Sequence, residues 1–194
     1  MAKIIYMGGI PAAGKTSVLN GARSKSVDSG VQYIEGTLFM KNVANEKLGR
    51  EFSTLEIEGM DIDEKVALVK RSWQEAVNLP AKVIVVEGRY MENDAGGYRE
   101  MIPKESLQYI SSFVLIESDP VVIMARRKKD SEVKPFRDLS FINIPLEAIA
   151  EREYAVAASH LANKDLLTIK NIDEDLNSAI DELISLVRRV SISD

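Results

Sequence analysis

Gly9-Ile10-Pro11-Ala12-Ala13-Gly14-Lys15-Thr16 matches the spacing G-x-x-x-x-G-K-[ST] at every fixed position. That spacing serves the chemistry of a bound triphosphate. Glycines let successive backbone N–H groups turn into one anion-sized hollow, and a following helix adds the partial positive charge of its N-terminus. Lys15 is placed to reach the β- and γ-phosphates, and the Thr16 hydroxyl to hold a bridging Mg²⁺. ATP and Mg²⁺ are the expected ligands, with Gly9 through Thr16 and the adjacent Ser17 on the donor phosphates. The bland alternative is a glycine-rich turn. The apolar run KIIYM before the motif and the helical stretch from Thr16 through Ala22 argue against it.

Other polar residues cluster at comparable places. VIVVEGRY ends an apolar run on Glu87, a carboxylate suited to hold Mg²⁺ through its water shell, with Arg89 positioned at the same rim to clamp a second phosphate. Gly88 between them allows close backbone approach to a ligand. VQYIEGTLF ends on Gly36-Thr37, a second helix opening; Gly36, Thr37 and Arg50 are candidates for an acceptor phosphate. Thr37 fits a simple N-cap equally well. Asp119-Pro120 reads as an N-cap and first helical residue, and that helix delivers Arg126 and Arg127 in succession, of which one faces the site. Residues 126–138, RRKKDSEVKPFRD, hold six Lys or Arg and suit a mobile basic lid over phosphates, although a solvated helix end gives the same composition. Asn171, in the loop Lys170-Asn171-Ile172-Asp173, is a candidate for packing on a purine.

The elements that must position these residues are legible as alternation. Five apolar runs, Lys3–Met7, Val31–Ile34, Lys82–Val86, Phe113–Ile116 and Leu166–Ile169, have the character of buried parallel strands. Helical spacing separates them, as in Val66, Val69, Lys70, Trp73, Val77 and in Ile180, Leu183, Ile184, Val187. The alternation predicts an α/β fold in one domain, a parallel sheet covered on both faces. Residues 88–111 interrupt it, with a turn-rich cluster at 93–97. Trp73 belongs to an apolar stripe and reads as packing; His160, in a helix over 146–162, reads as a surface residue.

Composition narrows the chemistry. The 194 residues include no cysteine and one histidine, with a net charge of −5. Disulfides, thiolate nucleophiles and cysteine-ligated zinc are excluded, as are multi-histidine metal centres; a catalytic triad is disfavoured. The acidic total gives no general attraction for nucleic acid or anionic membranes. With no apolar run of membrane-spanning length and glycines in place of a signal peptide, a cytoplasmic protein is expected.

GIPAAGKT, EGTLF, VVEGRY, ESDPVVIMARRKKD with RDL beyond it, Gly97-Tyr98 followed by Pro103, and the tail IKNIDEDLNSAIDELISLVRR together resemble the nucleoside monophosphate kinases, in particular the archaeal-type adenylate kinases. The resemblance implies a P-loop NTPase three-layer α/β sandwich: one kinase domain over 1–194, a five-stranded parallel sheet with helices on both faces, an acceptor-binding helical insert over about 37–80 and a short lid over about 127–138. It implies Mg²⁺, the reaction ATP + AMP ⇌ 2 ADP, and a homotrimer. It assigns the donor phosphates and Mg²⁺ to Lys15 and Thr16 and the stabilisation of the transferring group to Arg127 and Arg137. Read from the residues themselves, Arg89 joins Lys15, Arg127 and Arg137 in the expected catalytic set, and Arg126 and Asn171 are expected beside the donor. The chain departs from the family pattern at Leu55–Met60, where the acidic run LEIEGM replaces a basic residue. It departs again at Glu87-Gly88-Arg89, which replaces Asp-Thr-His, and at Lys134, which replaces an arginine. These departures leave open a kinase of another small phosphate acceptor, or a regulatory nucleotide-binding protein. A GTPase switch would need N-K-x-D; Asn163-Lys164-Asp165 is one position short, and D-x-x-G at Asp94–Gly97 lies far beyond the third strand.

Overall fold

The computed structural model describes residues 2–26, 28–94, 97–132 and 139–192. Five parallel strands form the central sheet: β1 (Lys3–Gly8), β2 (Val31–Ile34), β3 (Val83–Glu87), β6 (Ile110–Glu117) and β7 (Leu166–Lys170). Their spatial order is β2-β3-β1-β6-β7, with β1 at the centre. Each contains one of the five apolar runs or nearly all of it. Side chains of β1 alternate between the two faces, as the strand period requires. Ile5 and Met7 join Val18, Leu19 and Ala22 of α1 (Lys15–Lys25) and Ala179, Ile180, Leu183 and Val187 of α7 (Leu176–Ile192). Ile4 and Tyr6 join Trp73 and Ala76 of α4 (Ile62–Ala76) and Ala155 of α6 (Asn143–Ala162) on the other face. The expected α/β sandwich is therefore present, with helices covering both sides of the sheet.

The stretch 37–80 contains α2 (Gly36–Leu48), α3 (Thr54–Glu58) and α4, which share a small core of Val43, Ala44, Phe52, Ile57 and Leu68. Helix α3 starts in a capping box: the Ser53 side chain accepts from Glu56 N, and the Glu56 carboxylate accepts from Ser53 N. These bonds and the Arg50 guanidinium hold the Glu56 carboxyl down at about 2.

Residues 88–111, expected only to be turn-rich, contain a two-stranded antiparallel hairpin of β4 (Met91–Asp94) and β5 (Gly97–Glu100) and a 3₁₀ turn over Lys104–Tyr109. Helix α5 (Pro120–Lys129) starts as expected: the Asp119 side chain accepts from Val121 N at 2.7 Å and Pro120 occupies the first turn. It carries Arg126 and Arg127, whereas Lys134 and Arg137 of the expected lid lie outside the described residues. Among the described residues no helix is long and apolar enough to cross a membrane.

Candidate phosphate-transfer site

The C-terminal ends of β1, β2, β3 and β7 converge on one cavity of about 790 Å³, the position at which open parallel sheets bind ligands. Pro11, Ala12, Gly14, Lys15, Thr16 and Ser17 line it from the loop and α1, Gly36 and Thr37 from the start of α2, and Glu87, Gly88 and Arg89 from the end of β3. Arg126 and Asn171 complete the wall. Gly9, Ile10 and Ala13 are buried at the root of the loop and support it from behind.

The loop is held by its carbonyl groups. Lys15 Nζ donates to Gly9 O at 2.7 Å and to Ile10 O at 3.2 Å. Arg127 donates to Pro11 O from Nε at 3.3 Å and from a terminal nitrogen at 3.4 Å. Arg126 donates to Ala12 O at 3.0 Å, and Asn171 Nδ2 to Ala13 O at 2.8 Å. Five consecutive carbonyls thus point to cations or an amide on other parts of the structure. Lys15, Thr16 and Ser17, the first residues of α1, whose N–H groups have no partner within their own helix, line the cavity. Ala12 sits at φ 69° and Gly14 at φ 92°, the left-handed conformations that the tight turn requires. A Cβ on Gly14 would also lie 2.0 Å from Asn171 Nδ2.

Thr16 Oγ1 donates to Glu87 Oε1 at 2.9 Å, so the two residues expected to hold Mg²⁺ meet. A hydroxyl and a carboxylate oxygen are donor types that a hard cation prefers. Among the described residues no group of three His, Cys, Asp or Glu side chains forms a metal site of its own. A cation at this place would therefore also need phosphate or water oxygens.

Another part of the cavity wall has a different character. Arg89 Nη1 donates to Glu92 Oε1 at 2.7 Å, and Lys65 Nζ donates to the same oxygen at 3.3 Å and to Glu58 O at 2.7 Å. Lys65 is buried and lines the cavity, as do Glu58 and Glu92. Tyr6 and Trp73 stack with ring centroids 5.7 Å apart, also on the cavity wall. Burial raises the Tyr6 hydroxyl well above its ordinary range, and it donates to Arg89 O at 2.6 Å.

Several sequence expectations take a different form. Arg127 is buried against Glu147, 2.5 Å away, and so braces the loop from behind; Arg126 is the one of the pair on the cavity. Arg50 does not line the cavity: it pairs with Glu56 at 2.8 Å and lies over the Phe52 ring at 3.5 Å. Thr37 does not cap α2, because the N-cap is Glu35 and no side chain caps that end. Gly36 packs there against β3, where a Cβ would stand 2.3 Å from Glu87 O. Trp73 is core packing, as expected, and cavity wall as well. His160 is exposed in the last turn of α6, and Asn163 closes that helix at φ 51°, away from the cavity. Lys65 and Glu92 were not singled out from sequence: the stripe read there was Val66, Val69, Lys70, Trp73 and Val77, whereas α4 buries Lys65, Leu68, Ser72, Trp73 and Ala76 and leaves Lys70 exposed.

The profile of a family described as an AAA domain (AAA_17) matches residues 8–142. The adenylate kinase of Methanoculleus marisnigri is 26% identical over 199 residues, covering 97% of this chain and 100% of that protein. The adenylate kinase of Pyrobaculum aerophilum is 29% identical over 154 residues, covering 78% and 76%, and that of Saccharolobus solfataricus is 28% identical over 195 residues, covering 94% and 98%. The expected resemblance to archaeal adenylate kinases is borne out along almost the whole chain. Among solved structures, a shikimate kinase from Bacteroides thetaiotaomicron superposes with a TM-score of 0.57 at 16% identity, covering 96% of this chain and 98% of that one. A shikimate kinase from Acinetobacter baumannii in complex with shikimate gives 0.56 at 15% identity, covering 100% and 97%. At such identities these two show the fold alone.

Proposed function

The chain belongs to the AAA_17 family of AAA domains, and on that premise we propose that it is an ATP-dependent phosphotransferase acting on a nucleoside monophosphate, with ATP + AMP ⇌ 2 ADP as its reaction. One observation carries the reading: the carbonyl-tied loop and the Arg89–Lys65 pair line one cavity, with the Tyr6–Trp73 stack in its wall. The loop suits the triphosphate. The pair offers two cations for an acceptor anion, and the stack offers aromatic surface for a planar base.

In this reaction an acceptor phosphate oxygen forms a bond to the γ-phosphorus as the bond to the β–γ bridging oxygen breaks, and ADP leaves with that oxygen. The attacking oxygen is already ionised, so no general base is required. This fits a cavity without a histidine among its described lining residues. Lys15 and the α1 N-terminus bind the donor phosphates, and Arg126 reaches the same region from α5. Arg89 and Lys65 orient the acceptor. Thr16 and Glu87 would hold Mg²⁺, which supplies neutralising charge to the phosphates when bound.

A second reading, a kinase of another small acceptor, is favoured by Glu92, because its carboxylate already occupies the Arg89–Lys65 pair. Purified protein with ATP, Mg²⁺ and, separately, AMP, CMP, UMP or GMP distinguishes the two by the rate of ADP formation. AMP-dependent turnover supports the first reading, and turnover with another acceptor alone supports the second. The same slow rate with and without every one of these acceptors refutes the first reading.

A further inference from the structure

We infer that Glu151 is a positioning residue: its buried carboxylate clamps the root of the donor loop to the strand end that carries Arg89. The inference rests on the phosphotransferase reading above. Glu151 lies in the middle of α6 and is 1% exposed. Its Oε1 accepts from Gly9 N at 2.8 Å and from Tyr90 N at 2.9 Å, and its Oε2 accepts from Met91 N at 3.1 Å.

The place of this clamp explains its need. Gly88 N still donates to Met7 O at 2.9 Å, continuing the pairing of β1 with β3. Beyond that bond the two strands diverge, one into the phosphate loop and the other toward the hairpin, and the site opens in the fork. Backbone N–H groups in the fork have lost their strand partners, and a buried N–H must find an acceptor. A single carboxylate bridges both arms.

Each arm is gripped from two sides. On the donor arm, Gly9 gives its N–H to Glu151, and its carbonyl accepts from Lys15 Nζ. On the acceptor arm, the peptide joining Arg89 to Tyr90 gives its N–H to Glu151, and its carbonyl accepts from the Tyr6 hydroxyl. One turn earlier on α6, Glu147 holds Arg127, which holds Pro11 O. Helix α6 therefore fixes the loop at two points and the acceptor rim at a third. Burial raises the Glu151 carboxyl, while the Tyr90 N–H, Lys15, the Met91 N–H and Arg89 pull the other way. An amide cannot replace it fully. Gln would keep an acceptor for Gly9 and Tyr90 but would turn an NH₂ toward the Met91 N–H.

A residue that only maintained the fold would alter melting temperature. A residue that sets the distance between donor and acceptor must alter transfer more than donor binding. Glu151→Gln is compared with wild type in three measurements: acceptor-dependent ADP formation, KM for ATP, and the rate of ATP hydrolysis without acceptor. Transfer is expected to fall about 10- to 100-fold, since misplacing reacting groups by about 1 Å costs on the order of 10²-fold. KM for ATP and acceptor-free hydrolysis are expected to stay within about 2-fold, because Lys15, Arg126, Arg127 and Asn171 still hold the loop. Should Gln not fold, Glu151→Asp, which keeps the charge and loses one methylene, carries the same comparison. Transfer at the wild-type rate overturns the inference. So does an equal fall in transfer and hydrolysis, or failure of both variants to fold. Wild-type protein without acceptor-dependent turnover overturns the functional reading first, and this inference with it.

Discussion

Replacing Arg127 by alanine removes a guanidinium that is 1% exposed, bonded to Glu147 at 2.5 Å and to Pro11 O at 3.3 Å. The Glu147 carboxylate, 12% exposed, then faces an empty space of guanidinium size. Breaking such a buried pair from one side costs about 3–5 kcal/mol. For a domain of this length each kcal/mol lowers Tm by about 2–4 °C, so a fall of roughly 6–20 °C is expected. Arg126→Ala is the necessary contrast. Its partner Asp173 is 55% exposed, and an ion pair of that kind contributes about 0–1 kcal/mol. The Ala12 O bond adds about 1 kcal/mol. Arg126→Ala should therefore melt within several degrees of wild type while losing about 10²- to 10³-fold in kcat, the usual effect of removing a donor aimed at developing charge. Thermal melts by circular dichroism, paired with a coupled ADP assay well below both melting temperatures, measure the two effects separately. Arg127→Ala that melts with wild type yet has lost its kcat would refute the reasoning and place the Arg127 guanidinium on the transferring phosphate.

Lys15→Ala should abolish turnover by several orders of magnitude with little change in the melting curve; persistent activity would contradict the assignment of the donor loop. Gly14→Ala meets Asn171 Nδ2 at 2.0 Å and must adopt φ 92°, so titration with a fluorescent ATP analogue should show affinity at least about 10-fold weaker. The Glu56 carboxyl lies at about 2 in the folded chain against 4.5 when unperturbed. A depressed acid stabilises the fold above its unfolded value, and that contribution is lost as pH falls toward its folded value. Urea unfolding between about pH 4.5 and 2 should therefore show a steeper loss of stability in wild type than in Glu56→Gln; equal slopes would remove the capping box from the account.

The strands were legible because each is a short apolar run bounded by Gly, Pro, Asp or Asn, and the loop because its spacing has few other uses. The hairpin β4–β5 was not, since MENDAGGYRE offers no alternation of apolar and polar residues to mark a strand. Arg126 and Arg127 differ by about 100° of helical rotation, and which one turns inward depends on where α6 places Glu147. Glu151 carried still less signal. In sequence it belongs to the charged group Glu151-Arg152-Glu153, which reads as a solvent face. Its burial is set by partners 142, 61 and 60 residues away.

The net charge of −5 gave no hint of an anion site, and the structure explains why the two are compatible. Affinity for phosphate depends on local direction more than on totals. The loop's carbonyls, which would repel phosphate, are turned to Lys15, Arg127, Arg126 and Asn171. Of these, Arg127 has its own charge balanced by Glu147, so it aligns the backbone without competing for the ligand. Lys15 and Arg126 combine a backbone bond with a place on the cavity wall. The same side chains that shape the hollow thus supply part of its charge. Elsewhere on the wall Glu92 shares Arg89 and Lys65, so an anion entering there must take hydrogen bonds that the protein now makes to itself. Under the proposed reading this makes Glu92, rather than the net charge, the group against which a monophosphate must be weighed.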